Sequence, residues 1–406
     1  HAMLLRSAAL DETLRPIDDW DGFAPHWPAG RVPYAYGSRF LDWLAGPEGG
    51  RALAAFVREG QGNIWGLGLD GDARRAFGRT FTRAWREWAA GLRREAIPVA
   101  GSGAAPGGSA SRTIAGPAHS LTGPRFDPAG RRVAFEIFHA RDDRRTRVVE
   151  LEGRVLWEAR RNGPGRQTWA RDGDTLYVDE LEFVDRYTVR SDLYALDPAR
   201  GTRRRLTRGA RLHAADVAPD GHRWAAVETG PGWSRLVLLE PGPDGLRMSP
   251  LTPADFDVHW EQPRWSPDGR TLAAVRWERG GFHDLVLLDT AGAVVARLTE
   301  DRAVDATPAW SPDGRYLVWS SDRGGVRNLW AYDLRAEPGA ARTYRVTSEP
   351  GGAFDPDIDP GGRHLAYVAH TGLGFVLRLA PFAPETWQPA PLPPGPPDPV
   401  PETYPD

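Results

Sequence analysis

A short segment recurs six times after residue 118, and its spacing limits what this chain can fold into. The two clearest copies are Pro263-Arg-Trp-Ser-Pro-Asp-Gly269 and Pro308-Ala-Trp-Ser-Pro-Asp-Gly314. Weaker copies end at four further glycines, Gly130, Gly173, Gly221 and Gly362. The steps between successive glycines are 43, 48, 48, 45 and 48 residues. A period of about 40 to 50 residues with several short strands per copy is typical of propeller blades, so we expect a mainly β fold with six blades.

A complete copy contains the signals of four strands. Ser-Pro-Asp-Gly ends a short first strand, because proline presets the turn and glycine takes the positive-φ position. An apolar second strand follows, as in 270–275, and a third strand ends in aspartate, as in 284–289. A fourth strand carries a Leu-Thr or Val-Thr pair, at Leu206-Thr207, Leu251-Thr252, Leu298-Thr299 and Val346-Thr347.

The last copy lacks this fourth strand, and an unmatched Leu121-Thr122 precedes the first copy. We therefore predict that the segment around Ser120 to Thr122 completes the sixth blade beside the C-terminal strands. Such closure pairs strand edges that would otherwise be open to aggregation.

Composition divides the remaining chain. Residues 1–96 show apolar side chains at spacings of three and four, as in Phe40, Leu41 and Leu44, which predicts a small helical domain. Residues 97–118 are rich in Gly, Ser and Pro and are expected to form a linker, followed by the propeller over 119–382. The tail 383–406 is proline-rich and is expected to be extended and solvated.

Charge and composition exclude several functions. All 51 basic side chains are arginine, and 54 acidic ones balance them to a net charge of −3, which disfavours nucleic acid as a partner. The chain has no cysteine, so disulfides, thiolate metal sites and cysteine nucleophiles are excluded. No apolar run is long enough for a membrane span. The start, His1-Ala2-Met3, has the pattern of a cloning remnant, and we expect that a preceding natural segment is missing.

The Trp-Ser-Pro-Asp-Gly repeats, together with Ser321-Asp-Arg-Gly-Gly325 and Asn328-Leu-Trp330, resemble the TolB-like propeller repeats of bacteria. The resemblance covers residues 119 to 382 and implies a six-bladed ring and a periplasmic or cell-envelope location. It does not specify an activity, since related propellers occur both in binding proteins and beside hydrolase domains.

A second resemblance lies in the N-terminal region. Val32-Pro-Tyr-Ala-Tyr-Gly37 with Phe40-Leu41, and Ala76-Phe-Gly78 with Trp85-Arg-Glu-Trp88, are similar to the helical end of gluzincin zinc peptidases. In that family a tyrosine donates a hydrogen bond to the tetrahedral oxyanion, and Tyr34 is the matching position. The alternative is that Tyr34 simply packs under a helix.

The zinc-binding motif of that family, His-Glu-x-x-His, does not occur in these 406 residues. The family order would place it before residue 1. The resemblance therefore implies that zinc is bound only upstream, that this chain holds no cofactor or metal, and that Tyr34 is inactive here. Proteins with this domain order also tend to continue into an outer-membrane barrel, which the proline-rich tail would join.

Five polar residues are predicted to lie just before the innermost strands of their repeats and to converge near one mouth of the central channel: His213, His259, Glu261, Asp305 and Asp355. Such a cluster could bind a cation or a polar ligand. The alternative is that they are solvated residues lining a wet funnel. The aspartates of the Asp-Gly turns are expected to be structural.

These observations favour a non-catalytic module that binds a protein or peptide at the propeller face, within a larger bacterial cell-envelope protein. The alternative is a propeller with a metal or small-ligand site, with hydrolytic chemistry, in its channel. We expect no catalysis from this chain alone, whereas the full-length protein is a candidate zinc metallopeptidase.

Overall fold

A computed structural model describes residues 2–17, 27–61, 68–101, 111–243, 245–279 and 281–392. Within them, 25 strands form six antiparallel sheets arranged as the blades of a propeller. The first strand of each blade contacts the first strand of the next blade, so these six strands line a central channel. The predicted six-bladed propeller with a small helical domain is confirmed.

The strands are given blade by blade, from the channel outward. Blade 1 contains β2 (Ser120–Phe126), β3 (Arg132–Phe138), β4 (Arg145–Glu150) and β5 (Val155–Arg160). Blade 2 contains β6 (Gln167–Trp169), β7 (Leu176–Phe183), β8 (Val189–Asp197) and β9 (Thr202–Arg205). Blade 3 contains β10 (Leu212–Val217), β11 (Trp224–Gly230), β12 (Trp233–Gly242) and β13 (Gly245–Pro250).

The last three blades follow the same order. Blade 4 contains β14 (Val258–Trp265), β15 (Thr271–Glu278), β16 (His283–Asp289) and β17 (Val294–Arg297). Blade 5 contains β18 (Asp305–Trp310), β19 (Tyr316–Ser321), β20 (Asn328–Asp333), β21 (Thr343–Arg345) and β25 (Gln388–Pro389). Blade 6 contains β22 (Ala353–Ile358), β23 (His364–Thr371), β24 (Gly374–Pro381) and β1 (Arg112–Ala118).

The second strand of each blade is apolar on both faces because a blade packs between two others. In β15, Leu272, Ala273, Ala274 and Val275 are all buried. Leu272 and Ala274 pack with blade 3, whereas Ala273 and Val275 pack with blade 5. Continuous apolar runs therefore mark the middle of a blade rather than a half-exposed sheet.

The Ser-Pro-Asp-Gly turns are structural, as predicted. In blade 4, Asp268 accepts hydrogen bonds from the Ser266 hydroxyl at 2.6 Å and from the Arg270 amide at 3.1 Å. Gly269 follows with φ of +69°, a conformation that disfavours residues with a Cβ. Asp313 repeats both contacts in blade 5.

The Leu-Thr pairs also have a clear structural role. In four blades the threonine follows the fourth strand, and its hydroxyl accepts a hydrogen bond from a leucine amide of the third strand. The distances are 2.9 to 3.0 Å for Thr207 with Leu193, Thr252 with Leu236, Thr299 with Leu285 and Thr347 with Leu329. The threonine thus fastens the end of one blade before the chain enters the next.

The ring closes through an N-terminal strand, but not through the segment that the sequence predicted. Residues 120–122 lie in β2, the innermost strand of blade 1, paired with β3. The closing strand is β1, which pairs with β24 as the outermost strand of blade 6. Residues 112–118, expected to be linker, therefore belong to the propeller, while helix α5 extends to Gly101.

The start of the proline-rich tail is also ordered on the propeller. Gln388 and Pro389 pair with β21, which gives blade 5 its fifth strand. Trp387 is buried and packs edge-on against Tyr316 and Phe382. The prediction of a solvated tail is wrong for Trp387, whereas Gln388 and Pro389 are extended and exposed. The rest of the tail from 393 lies outside the described residues.

Five α-helices lie in the described part of the N-terminal region. They are α1 (Ala2–Leu10), α2 (Ser38–Ala45), α3 (Gly49–Gly60), α4 (Leu69–Phe77) and α5 (Phe81–Gly101). Their core includes Tyr36, Phe40, Ala84 and Trp88. Apolar side chains at spacings of three and four predicted such a helical core. None of the described helices is both long and apolar enough to cross a membrane.

The helical domain is fastened to blade 6. The Ser7 hydroxyl and His370 Nδ1 are 2.9 Å apart, and Arg6 Nε donates to the Pro350 carbonyl at 2.7 Å. Asp11 accepts a hydrogen bond from the Gly372 amide at 2.7 Å. His370 is buried at this contact.

Burial, with the positive charges of Arg31 and Arg6, lowers the pKa of His370 to about 4. Because this pKa lies below that of an unfolded histidine, its contribution to stability is complete above pH 6.5 and is lost as the pH falls toward 4. We expect the stability advantage of the native chain over a His370→Gln variant to shrink by on the order of 2 kcal/mol between pH 7 and 4.5. Urea unfolding at both pH values measures this. A His222→Gln variant, in an exposed turn, should follow the native profile.

Candidate functional site

The inner strands all run in the same direction, so one mouth of the channel lies where they begin and the other lies where they end. They begin at the histidine mouth, the opening lined by Thr122, His213 and Glu261. They end at the proline mouth, whose rim carries one proline from five of the blades: Pro128, Pro219, Pro267, Pro312 and Pro360. The cavity at the histidine mouth has a volume of about 530 Å³, and the one at the proline mouth about 340 Å³.

Between the mouths, a bulge in each of five inner strands narrows the channel. The bulge residues adopt positive φ: Gly123 (+59°), Ala214 (+52°), Gln262 (+53°), Thr307 (+55°) and Asp355 (+47°). Only about 20 Å³ remains open among them. Positive φ is costly for residues with a Cβ, and such strain concentrates at functional sites.

Two of the bulge side chains compensate this strain by bridging neighbouring blades. Gln262 Oε1 accepts a hydrogen bond from the Thr307 amide at 2.6 Å. Asp355 Oδ2 accepts one from the Gly123 amide at 2.8 Å. Hydrogen bonds between bulge residues therefore stabilise the constriction at two of the blade junctions.

The structure brings together two of the five predicted channel residues. His213 and Glu261 line the same cavity at the histidine mouth. Asp355 lies deeper, at the constriction, where Arg166 approaches to 3.4 Å. His259 lies against the ring of Trp277, with centroids 5.1 Å apart.

The fifth residue, Asp305, does not face the channel mouth. It is fully buried, and its carboxylate accepts hydrogen bonds from Arg323 at 2.7 Å and from the Trp319 indole at 2.9 Å. The prediction that it converges with the histidines is wrong, because these buried partners from β19 and the following turn already occupy its oxygens.

Sequence reasoning missed most of the histidine-mouth cavity, which we call the recess. Its wall includes Glu136 of β3 and Asp179, Glu180 and Leu181 of β7, with Arg144 and Arg166. A signal was present, since Val133-Ala-Phe-Glu-Ile137 and Leu176-Tyr-Val-Asp-Glu180 place acids within otherwise apolar strands. A buried carboxylate in an apolar strand requires a partner and so indicates a polar site.

Burial shifts the pKa values of two side chains in the recess. It lowers the pKa of His213, against the charges of Asp179 and Glu261, which raise it. Burial also raises the pKa of Glu180, against the opposing effect of Arg203 and Arg161. His213 is thus neutral at pH 7 and can act as a hydrogen-bond donor or acceptor toward a ligand.

Four charged side chains close the channel between the constriction and the proline mouth, and we call them the plug. Arg264 contacts Asp357 at 2.8 Å and Asp216 at 3.4 Å, while Arg125 contacts the same two carboxylates at 3.4 and 3.5 Å. The arginines belong to blades 1 and 4 and the aspartates to blades 3 and 6, so the plug repeats with approximate twofold symmetry. All four occupy the same position of their repeats, directly before Phe126, Val217, Trp265 and Ile358.

Burial raises the pKa of both Asp216 and Asp357 to about 6, with the positive charge of Arg125 opposing the rise. These pKa values exceed that of an unfolded aspartate, so protonation of the two carboxyl groups favours the folded state. Their contribution to stability grows as the pH falls from about 6 to 4 and is lost as the pH rises through 6. We expect the double variant with Asp216→Asn and Asp357→Asn to lack this increase in the free energy of unfolding at low pH, which is on the order of 2 kcal/mol in the native chain.

Urea unfolding at pH 4.5 and 7 tests this expectation. Asp143→Asn is the control, because Asp143 forms an exposed ion pair with Arg160. A plug variant whose pH dependence equals that of the native chain would contradict the role given to these carboxyls.

Two tryptophans stabilise the backbone at the proline mouth through hydrogen bonds. Trp169 Nε1 donates to the Arg125 carbonyl at 3.1 Å, and Trp310 Nε1 donates to the Arg264 carbonyl at the same distance. Both bonds hold the backbone that carries the plug arginines. Pyrrolidine rings line the rim of this mouth, and the ion pairs of the plug lie behind them.

A metal site does not emerge from these residues. Across the described ranges, no three His, Asp or Glu side chains come close enough to hold an ion together. Tyr34, the position matching the peptidase family, lies in the turn Pro33–Gly37 before α2 and is 69% exposed. It therefore does not pack under the helix, and no described residue forms a site around it.

Comparisons with known proteins agree with the fold. Residues 251–383 match the family described as PD40, TolB beta propeller domain. The Tol-Pal system protein TolB of Anaeromyxobacter dehalogenans strain 2CP-C is 33% identical over 101 residues, which is 25% of this chain and 22% of that protein. An uncharacterized protein of Agrobacterium fabrum is 29% identical over 108 residues, covering 26% of this chain and 34% of the relative. The matched region thus spans about a fifth to a third of these curated relatives.

Among solved structures, TolB from Acinetobacter baumannii is similar with 18% identity and a TM-score of 0.44, covering 64% of this chain and 63% of that one. An oligogalacturonate lyase in complex with manganese is similar with 15% identity and a TM-score of 0.45, covering 65% of this chain and 77% of that one. Repeats and blade topology make the β-domain of this chain a six-bladed propeller, and its residues 251–383 are similar to the TolB beta propeller domain.

Proposed function

We propose that the propeller is a non-catalytic protein-binding module of a larger bacterial cell-envelope protein, and that a partner segment binds at the histidine mouth. The observation that carries the proposal is the recess of about 530 Å³ beside an exposed apolar hairpin. A concave site next to exposed aromatic side chains is typical of a protein interface, because aromatic residues are enriched at interfaces.

The hairpin connects β7 and β8 and extends beyond the histidine mouth. At its tip Phe183 is 74% exposed and Tyr187 is 86% exposed, with Val184 and Val189 also exposed. Leu181, at the base of the same hairpin, lines the recess. Large apolar side chains grouped in this way on a soluble surface are typical of binding sites.

The proline mouth is less suited to a partner. The plug of two arginines and two aspartates closes the channel there, and each of its charges is already paired. A segment that entered from this side would have to replace buried ion pairs, which costs several kcal/mol per unpaired charge, about 3 to 5.

The cell-envelope location rests on resemblance. Three of the curated relatives that match this chain are Tol-Pal system proteins TolB. We extend to this chain only the inference of an envelope location and a protein partner.

Site-specific photo-crosslinking in the source bacterium tests the module's function. A benzoylphenylalanine at position 187 should capture a defined protein, because Tyr187 lies at the proposed interface. The same group at position 295 is the matched control, since Val295 is 59% exposed on the outer strand of blade 4, away from the recess. Equal capture at both positions, or none at 187, would contradict the proposal.

A second proposal concerns the helical domain. We infer from the family resemblance that it is the end of a gluzincin-like peptidase domain whose zinc site lies upstream. The exposure of Tyr34 supports this, because an oxyanion-binding tyrosine must be open to a substrate. Zinc content and peptidase activity of the full-length protein, native and Tyr34→Phe, test it: we expect zinc in both and activity lowered at least about 100-fold in the variant. A full-length protein without zinc would refute it.

A further inference from the structure

Two segments of blade 2 meet on the histidine-mouth side of the propeller. Inner strands begin at this mouth and successive strands of a blade alternate in direction. The turn between the second and third strands and the connection from the fourth strand to the next blade therefore both lie on this side. In blade 2 they are the tip of the β7–β8 hairpin, 184–188, and the connection 206–211. These segments and the start of β8 carry four arginines: Arg186, Arg190, Arg208 and Arg211.

These four arginines differ from their neighbours because none of them has an ion pair with a described residue. Arg203 and Arg205, on β9, are each paired, with Glu180 at 2.9 Å and with Asp192 at 2.6 Å. One exposed carboxylate, that of Asp185, lies in the hairpin tip. The two segments therefore present an excess of positive charge to the solvent.

The connection is fixed to the base of the hairpin by Asp192 of β8. The fully buried Asp192 carboxylate accepts hydrogen bonds from the Thr207 hydroxyl at 2.7 Å and from the amides of Gly209 and Ala210 at 2.8 and 3.0 Å. Arg190 Nη1 donates to the Gly209 carbonyl at 3.3 Å. The arginines on the two segments therefore belong to one ordered surface.

The positive charge of the connection is a property of blade 2. Its threonine, Thr207, is followed by Arg208, whereas the equivalent threonines of blades 3, 4 and 5 are followed by Pro253, Glu300 and Ser348. The fold of the connection therefore does not require an arginine at this position. Blade 2 is also the blade with the exposed aromatic hairpin.

Apolar side chains lie directly beside these charges. Gly209 of the connection packs against Val184 of the hairpin tip, since a Cβ at Gly209 would be 3.2 Å from Val184 Cγ1. Phe183 and Tyr187, on either side of that tip, are largely exposed. We call this area, formed by 183–190 and 206–211, the basic hairpin surface.

We infer that the basic hairpin surface binds an acidic segment of a partner protein, one in which Asp and Glu alternate with apolar side chains. This inference rests on the proposed protein-binding function and specifies the chemistry of the partner. Carboxylates of the segment pair with the four arginines, and its apolar side chains contact Phe183 and Tyr187. Such charge complementarity selects a partner and speeds association.

The hairpin tip suits a peptide better than an anionic bilayer. The Asp185 carboxylate accepts hydrogen bonds from the amides of Tyr187 and Thr188, both at 2.8 Å, and these bonds lower the pKa of Asp185. The tip therefore carries a negative charge, which is costly to insert into lipid. The recess beside it is concave and has acidic side chains in its wall, so a flat anionic surface gains no contact there.

Fluorescence anisotropy with a dye-labelled peptide tests the inference on the intact chain. The probe is acetyl-Glu-Leu-Glu-Phe-Glu-Leu-Glu-amide, and we expect saturable binding that weakens as salt is added. The double variant Arg208→Glu, Arg211→Glu should weaken the Kd at least about tenfold, because two attractive charges become repulsive. Tyr187→Ser should weaken it by about tenfold through loss of the aromatic contact.

Two controls make the result specific. The double variant Arg131→Glu, Arg342→Glu changes the net charge equally, but both arginines are exposed in turns on the proline-mouth side, so the Kd should stay unchanged. The peptide acetyl-Gln-Leu-Gln-Phe-Gln-Leu-Gln-amide, which lacks the charges, should not bind saturably. Urea unfolding confirms that the variants are folded, which we expect because the substituted arginines have no ion pairs to lose.

Equal binding of the two peptides, or an equal loss of affinity in both double variants, would overturn the inference. Binding to phosphatidylglycerol vesicles without binding to the acidic peptide would also overturn it and would assign the surface to a membrane. The proposed function is tested separately by capture at position 187. Capture of a protein through a segment without acidic residues would support the function and refute the acidic partner, whereas no capture would refute the function itself.

Discussion

Replacing Arg323 with leucine is expected to lower the free energy of unfolding by about 3–5 kcal/mol. The Arg323 side chain is 2% exposed and contacts both oxygens of Asp305, at 2.7 and 2.9 Å. It also lies over the rings of Trp319 and Trp330, 5.4 and 5.2 Å from their centroids. Without the guanidinium, the Trp319 indole is the one hydrogen-bond donor that the described residues still offer to the fully buried Asp305 carboxyl group.

Urea unfolding measures the effect, and two further variants show that it comes from the buried charge. Arg297→Leu removes an ion pair with Glu278 in which both side chains are about 40% exposed, and should cost less than about 1 kcal/mol. Asp305→Asn in the Arg323→Leu background should recover part of the loss. If the double variant is less stable than Arg323→Leu alone, the buried charge is not the cause.

This ion pair also shows where sequence reasoning fails. Repeat spacing was sufficient to predict six blades, because each blade is one copy and the copies can be counted. The direction of a single side chain is a different matter. Asp305 begins an inner strand and looks equivalent to His213 and Glu261, but its partner Arg323 lies 18 residues later, in the turn after β19. Only the fold brings the two together.

The plug illustrates the opposite case, a feature that was present in the sequence. Arg125, Asp216, Arg264 and Asp357 occupy one position of the repeat, directly before its aromatic or aliphatic residue. Equivalent positions in neighbouring blades face the same channel, so aligning the copies predicts that opposite charges meet at its centre.

The closing strand was misassigned by one strand for a physical reason. Leu121-Thr122 has the same two residues as the pairs that end other blades, but Thr122 pairs with Glu136 inside blade 1. The true closing strand, β1, has no Leu-Thr pair and contains Gly116 and Pro117 instead. A two-residue signal cannot distinguish an inner strand from an outer one, whereas the register with β24 can.

Substitution of Gly374 by alanine should break this closure. Gly374 begins β24 with φ of +124°, and a Cβ at this position would lie 2.4 Å from the backbone oxygen of Ala118, the last residue of β1. A backbone atom cannot move away as a flexible side chain can, so β1 must shift. We expect the free energy of unfolding to fall by about 3–5 kcal/mol in total, from backbone strain and steric overlap together.

Gly245→Ala separates these two causes. Gly245 has nearly the same φ, +123°, but a Cβ there would meet nothing within 4 Å. Its variant should therefore show the backbone strain alone, about 1–2 kcal/mol, and leave β1 in place. Limited proteolysis should cleave the Gly374→Ala chain near residues 111–118 and spare the Gly245→Ala chain. Equal stability loss in both variants would mean that the ring does not depend on the contact between β1 and β24 at this glycine.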